Sequence, residues 1–342
     1  MMLGDLGADV IKVERPGTGD DTRGWGGPTD SRGRGAYFLS INRNKLSVVA
    51  DLDSADDRDL IRSLIAGADV VVDNFLPDML RTRGIEPDKI VRESPRLVWC
   101  TITGFGAGNP RPGYDFITQA ESGWMAITGE PGGDPMKVGV ALADVVAGKD
   151  AAIAILAALA GRANGRTLNR RLVISLMDSA RGALVNVAQG AAMSGTEPRR
   201  WGNAHPNIVP YQLFHASDRP IVVAVGTDRQ WASCAAALGL DQLSGVLDLS
   251  ANHDRLSNRD LLVHRIQEVM STRTAGEWLK RLDAAGVPAG VVKTVLQSLE
   301  ATEASPTMGM PSSVGGVARR EPPTLDEHGP AVRRSGWRAF DG

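Results

Sequence analysis

Cysteine is nearly absent: Cys100 and Cys234 are the only two in 342 residues. Two thiols build neither a disulfide framework nor a four-thiolate zinc site, and they suit a reducing cytoplasm. Histidine is scarce too. His205, His215, His253, His264 and His328 include no His-x-x-x-His pair, and none lies near a cysteine, so no metal centre is expected. Neither charge sign is in surplus, since 38 Lys+Arg against 40 Asp+Glu leave a net charge of −2. Non-specific binding to nucleic acid or to an anionic membrane needs a cationic excess, so neither partner is expected. No apolar run approaches the roughly 18 residues of a membrane helix. The longest, Ala151–Gly161, is stopped on its N-terminal side by Lys149 and Asp150. The start of the chain lacks the basic stretch and apolar core of a secretory signal. A soluble cytoplasmic protein is expected.

Several catalytic signatures are missing as well. There is no Walker A pattern, no Gly-x-Gly-x-x-Gly between a strand and a helix, and no Gly-x-Ser-x-Gly elbow. No internal repeat is visible. Cys100 ends an apolar strand-like run and reads as a buried, inert thiol.

What is present is a globular composition, 42% hydrophobic and 23% charged, with 39 glycines that imply many tight turns. Met1–Gly7 reads as the tail of a helix and Ala8–Glu14 as a strand. A helix tail leading straight into a buried strand suggests a pairing strand upstream. Residues 15–36 form a Gly/Pro/Asp/Arg-rich loop. Strands are expected at Ser47–Leu52, Asp69–Asp73, Leu97–Thr103 and Asn169–Ser175. Helices are expected at Ser54–Ala68, Pro77–Gly84, Tyr114–Thr128, Asp144–Ala160 and Leu176–Ala192, with a loop at Gly104–Gly113. Strands with continuous apolar runs, alternating with helices, predict an α/β fold with a parallel sheet covered by helices. Residues 195–207 read as a linker. A second, smaller α/β unit follows over 205–290, with a strand at Pro220–Val225 and helices at Asp228–Ala237, Asn258–Met270 and Thr274–Ala285. From Ser305 onward the chain reads as weakly structured.

Asp144 stands out. The run Val138–Gly148 holds this single charge, where an extended segment meets an apolar helix. An N-cap aspartate is common at such a junction. A carboxylate nucleophile is the other reading, because backbone amides at a helix start stabilise a developing oxyanion. Local pattern alone leaves both open. Arg15, Arg43 and Lys45 flank strand ends, where arginine side chains and loop amides hold phosphates, but each alone reads equally as a surface charge.

Taken in order, several blocks resemble the family III CoA-transferases, which include the formyl-CoA and carnitine CoA-transferases and the α-methylacyl-CoA racemases. The blocks are Leu3–Pro16, Asn42-Arg43-Asn44-Lys45, Val72-Asp73-Asn74-Phe75, Gly113–Asp115 through Gln119–Gly123, and Gly139 through Asp144 to Gly148. Ala204–Gln212 and Gly286-Val287-Pro288 are similar to the dicarboxylate-type members that take CoA from succinyl-CoA. The resemblance implies a Rossmann-like large domain, residues 1–200 rejoined by 300–342, that binds CoA. It also implies the small domain at 205–290 and an interlocked homodimer. No permanently bound cofactor is implied; CoA and acyl-CoA are substrates, with a carboxylic acid as acceptor.

The family's nucleophile falls on Asp144. The implied chemistry passes through an aspartyl anhydride and an aspartyl-CoA thioester, which conserve the activation of the acyl group in a site that must exclude water. Arg15 falls on a CoA phosphate contact, and Asn74 and Phe75 on the CoA nucleotide site. Tyr37, Tyr114 and Asp115 fall near the acyl end. The family's racemases carry histidine where this chain has Tyr114. Proton exchange at an α-carbon needs two bases poised near neutral pH, and tyrosine titrates near 10. Transfer is therefore favoured over racemisation, with a non-catalytic CoA-binding paralogue as a further alternative. The family also has a first strand and loop before the position of Met1, a lysine where Pro112 stands, an arginine where Thr82 stands, and Gly-Glu-His where this chain has Asp326-Glu327-His328.

Overall fold

A computed structural model describes residues 1–166, 168–240, 248–300 and 315–341. The chain runs α1 (Met2–Asp5), β1 (Val10–Glu14), α2 (Ala36–Ile41), β2 (Lys45–Val49), α3 (Ala55–Gly67), β3 (Val70–Asp73), α4 (Pro87–Glu93), β4 (Val98–Thr103) and α5 (Asp115–Glu121). It continues through α6 (Trp124–Ile127), α7 (Leu142–Ala163), β5 (Arg171–Ser175), α8 (Leu176–Gly182) and α9 (Val185–Ser194). Then come β6 (Tyr211–His215), β7 (Pro220–Ala224), α10 (Asp228–Leu238), α11 (Asn252–Ser257), α12 (Arg259–Met270), α13 (Ala275–Ala284), β8 (Ala289–Val291), α14 (Val295–Glu300) and α15 (Gly329–Ser335). No helix among the described residues is long and apolar enough to cross a membrane.

Two compact units emerge. One comprises Met1–Trp124, Lys137–Thr196 and Ala304–Gly342; the other comprises Met125–Met136 and Glu197–Glu303. The second unit thus takes up a segment, Met125–Met136, that lies inside the expected large domain. The expectation for Ser305 onward falls outside the described residues as far as 314. Beyond that the chain is ordered: α15 buries Val332 against Leu46, Val48 and Leu64.

The first unit is α/β and its strands pair in parallel, but among the described residues they form two sheets rather than one. β1 pairs with β2, and β3-β4-β5 form the other sheet. Helix α3 serves both. Ser54 caps it by accepting from the Asp57 N–H, which supplies an acceptor to an otherwise orphaned first-turn donor. Its Leu64 packs with Leu46 and Val48 of β2, while Ile61 and Ile65 pack with Val71, Leu97 and Trp99. Val13 of β1 and Val72 of β3 remain 42% and 49% exposed.

Helix α7 covers the second sheet. Ala143, Ala147, Ala151, Ile155 and Ala158 recur every three or four residues and are buried, which sets them on one stripe. The alanines let the helix lie close to Val98 and Cys100 of β4. Both cysteines are buried, and desolvation pushes the Cys100 thiol up to about 11 and Cys234 to about 12.

The Asn42-Arg43-Asn44 block is a structural junction. Arg43 donates two hydrogen bonds to the buried Asp5 carboxylate, at 2.9 and 2.8 Å. Asn44, in the left-handed region at φ 61°, donates to Asp5 and to the Val317 carbonyl. Its side-chain oxygen accepts from the Arg319 and Arg320 amides. Asp326, also left-handed at φ 58°, accepts from the Val49 N–H at 2.7 Å. His328 exchanges hydrogen bonds with the Ser47 backbone. The Asp-Glu-His block thus sutures the C-terminal segment to the edge of β2.

The second unit is an antiparallel β6-β7-β8 sheet. Phe214, Ile221 and Val223 pack with Trp231, Ile266 and Trp278 from its helices. Thr274 and Glu277 form a reciprocal capping box at the start of α13.

Candidate active site

The site is built at the carboxyl end of β4, where parallel α/β sheets characteristically bind ligands. Beyond Thr103 the chain leaves the sheet at Gly104 and returns at Gly113. These two glycines lie backbone to backbone: a Cβ on Gly113 would fall 2.1 Å from the Gly104 Cα. Glycine is required at both. Within the loop, Arg111 stacks over Phe105 and pairs with Glu121 at 2.6 Å. The chain then delivers Tyr114, extended at the N-cap of α5, and Asp115, the first residue of that helix.

Asp115 is half-buried, and both of its oxygens are taken by the protein. Oδ1 accepts from the Ala143 N–H at 2.8 Å, and Oδ2 from Gln119 Nε2 at 2.7 Å. The N-cap residue of α7, Ala141, has no side chain able to cap. Asp115 provides that cap from another helix, and a carboxylate there is also favoured by the helix dipole. In the first turn of α7 the Leu142 N–H reaches the Val140 carbonyl and the Val145 N–H the Ala141 carbonyl. The hydrogen bonds of the described residues leave the Asp144 amide without an acceptor.

Asp144 lies in that first turn. It is not the cap, and among the described residues its carboxylate has no hydrogen-bond or salt-bridge partner. Its side chain is open to solvent, yet the surrounding protein partly dehydrates it. That desolvation, with the nearby charge of Asp115, pushes its pKa up to about 6. The carboxylate is therefore reachable, mostly ionised near neutral pH, and more basic than an ordinary aspartate.

Tyr37 on α2 joins the cluster. Its hydroxyl pKa is raised by burial and then by the charges of Asp144 and Asp115, so it is a neutral donor at pH 7. The ring meets Trp25 edge to face at 4.8 Å between centroids. The structure thus groups Tyr37, Asp115 and Asp144, with Tyr114 adjoining and 63% exposed. Arg15, Asn74 and Phe75 lie elsewhere: among the described residues no hydrogen bond, ion pair or ring contact links them to Asp144. Arg15, at the end of β1, is exposed and engaged by Asp21 and Thr18. Asn74 is exposed just beyond β3. The half-buried Phe75 packs on the core under α3, and its N–H is held by Asp73 at 3.1 Å.

Two cavities fall outside this cluster. One of about 200 Å³ is lined by Arg23, Arg32, Arg34 and Phe38 among others, and each of these arginines is paired with a carboxylate. The other, of about 350 Å³, lies in the second unit beside Arg199 and Arg200. Neither is lined by Asp144, which is exposed in the single chain.

Sequence reasoning missed Gln119 as more than part of a matching block. It is fully buried and ties the Val138 N–H and the Val140 carbonyl to Asp115. The available signal was a glutamine four residues after an acid, one helical turn on.

The profile of CoA-transferase family III matches residues 1–314, and the chain belongs to that family. It is a CoA-transferase, passing coenzyme A from an acyl-CoA thioester to a carboxylate. It is 37% identical to the human succinyl-CoA:glutarate CoA-transferase over 96% of this chain and 80% of that protein. It is 38% identical to a succinate–glutarate CoA-transferase of Agrobacterium fabrum over 86% of this chain and 75% of that one. Among solved structures, a CAIB/BAIF family protein from Brucella suis superposes with a TM-score of 0.82 at 38% identity, covering 97% of this chain and 93% of that one.

Proposed function

We propose that Asp144 is the nucleophile of this transferase and that its donor is succinyl-CoA, with a short dicarboxylate as acceptor. The observation that carries the first part is an accessible, partly desolvated carboxylate that, among the described residues, has no internal partner and lies beside an amide with no acceptor. The donor is supported by relatives named for succinyl-CoA and glutarate or mesaconate.

The Asp144 carboxylate attacks the thioester carbonyl, the C–S bond breaks, and CoA thiolate leaves behind a mixed anhydride. The thiolate then attacks the Asp144 carbonyl, releasing the donor carboxylate and forming an aspartyl-CoA thioester. The acceptor carboxylate attacks that thioester and expels CoA thiolate. Attack of the thiolate on the acceptor's acyl carbonyl yields the new acyl-CoA and restores the Asp144 carboxylate. Every tetrahedral intermediate carries an oxyanion, and in this reading the Asp144 N–H donates to it. Its raised pKa makes the carboxylate a better nucleophile without silencing it at neutral pH.

In this reading Tyr37 and Tyr114 face the acyl end, while Asp115 caps α7 instead of touching substrate. Arg15 turns from Asp21 to a CoA phosphate, and Asn74 and Phe75 receive the nucleotide. The enzyme works as an interlocked homodimer, which accounts for apolar side chains left exposed in one chain, Ile153 at 65%, Val185 at 69% and Met193 at 79%. Sedimentation giving a monomer at micromolar concentration contradicts the dimer.

The test of the mechanism is intact-protein mass after incubation with succinyl-CoA and trapping with hydroxylamine. An adduct mapping to Asp144, and absent in Asp144→Asn, is expected. Turnover with no adduct at Asp144, or with Asp144→Asn still active, overturns the assignment.

A further inference from the structure

Among the described residues, the segment that carries Asp144 into α7 has no sheet partner. Residues 138–141 belong to no helix or strand and bend at Gly139 and Val140, and such a stretch drifts unless something pairs its backbone. Gln119 supplies that pairing. Its Oε1 accepts from the Val138 N–H at 2.8 Å, and its Nε2 donates to the Val140 carbonyl at 3.2 Å. One primary amide thus meets alternate backbone groups as a neighbouring strand would. The same Nε2 donates to Asp115 Oδ2 at 2.7 Å, and Asp115 Oδ1 holds the Ala143 N–H at 2.8 Å. Three successive anchor points, residues 138, 140 and 143, are fixed by a side-chain pair on α5, immediately before Asp144. The side chain of Gln119 is wholly buried, so water does not replace these bonds when they are lost.

Building on the assignment of Asp144 as nucleophile, we propose that Gln119 is a positioning residue for the transfer reaction, acting through Asp115 and the 138–140 backbone to hold Asp144 in its attacking position. Gln119 touches no substrate. The amide group is specifically required: it must donate to a carboxylate and a carbonyl while accepting from an N–H. Glutamate offers the acceptor but, when ionised, sets a second negative charge against Asp115. Protonated, its hydroxyl donates to Asp115 and its carbonyl accepts from Val138, restoring two of the three bonds.

The experiment compares Gln119→Leu, Gln119→Glu and Asp144→Asn with the wild type, measuring kcat, KM and melting temperature across pH 5–9. Gln119→Leu keeps the volume and loses every hydrogen bond. Its kcat is expected to fall on the order of 10²-fold, the cost of misplacing a reacting group by about 1 Å, with KM for acyl-CoA little changed. For Gln119→Glu, kcat relative to wild type is expected to climb as pH falls and the introduced carboxyl gains its proton. A purely structural glutamine would not produce that pH-dependent rescue. Should Gln119→Leu fail to fold, Gln119→Glu carries the test alone. A flat ratio across pH, or wild-type kcat in Gln119→Leu, overturns the positioning role while Asp144→Asn remains inactive. Full activity in Asp144→Asn instead overturns the nucleophile assignment, and the positioning role with it.

Discussion

Replacing Asp144 by asparagine should kill transfer and stabilise the protein at the same time. The carboxyl titrates at about 6 in the folded chain against a reference of 3.8, raised by desolvation and then by Asp115. A raised carboxyl pKa means the native state holds the proton more tightly than the unfolded state. Its contribution to stability is full below the reference value and drains away as pH climbs from 3.8 to about 6. Two pH units correspond to at most about 3 kcal/mol. The side chain is exposed, and solvent screening reduces this to about 1 kcal/mol. The helix dipole favours the ionised form at this position and takes back about 0.5 kcal/mol. Asparagine should therefore raise the melting temperature by about 1 °C at pH 8 and leave it nearly unchanged at about pH 3, below the reference value. Differential scanning calorimetry at both pH values, beside a succinyl-CoA transfer assay, measures this. An equal gap at the two pH values, or no gap at pH 8, refutes the electrostatic account.

Other substitutions separate scaffold from site. Asp5→Ala removes two charge-assisted hydrogen bonds from the buried Arg43 guanidinium and should cost about 3–5 kcal/mol in denaturant unfolding. Burial pushes the Glu14 carboxyl up, but hydrogen bonds from Arg23, Ser47 and the Asp20 amide outweigh it and hold the pKa below 4.5. Its stabilisation is therefore present above pH 4.5 and lost as pH falls below it, so the acid-unfolding curve of Glu14→Gln should be the flatter of the two. Gly113→Ala drives a methyl into the Gly104 backbone; a loss of about 2–3 kcal/mol in urea and a severe loss of turnover are expected. Tyr37→Phe removes a neutral donor beside Asp144; a fall of about tenfold in kcat/KM with an unchanged melting temperature is expected.

The regular parts of the fold were legible in the sequence because their signals are local. Ser54 begins a helix of the expected register, and the apolar runs of β3 and β4 lie within a residue of their expected places. Misses occurred where structure depends on distant partners. β2 begins at Lys45 instead of Ser47 because Lys45 and Leu46 pair with Val10 and Ile11 across the sheet. α2 lies at the end of a loop rich in turn residues, and Phe38 is its buried anchor. β6 carries Gln212 and His215, which mask an antiparallel strand that needs only one apolar face. The stretch Pro77–Gly84 yields only a single 3-10 turn at Arg81–Arg83, and Gly123, at φ 96°, divides the expected helix over Tyr114–Thr128.

The candidate site divides the same way. Asp144 was visible as an isolated charge in an apolar run, a property of adjacent residues. That it is not the cap, and that Asp115 is, depends on a bond between residues 28 positions apart. No periodicity encodes such a contact. The Asn-Arg-Asn block is clear as a motif, but its work is to hold Asp5 and the C-terminal segment together, which only the assembled chain reveals.

The pinch between Gly104 and Gly113 has a consequence for how the protein can diversify. The two backbones meet at the loop's base, and the Arg111–Glu121 pair ties the loop to the helix beyond, so changes between Phe105 and Arg111 leave Tyr114 and Asp115 anchored. Doubling the length of such a loop costs only about 0.6 kcal/mol in closure entropy. Residues 106–110, which lie between the Phe105 and Arg111 contacts, are therefore a natural insertion point. New segments can be grafted there to reach a bulkier acyl group or a different acceptor, while the machinery next to the pinch keeps its geometry.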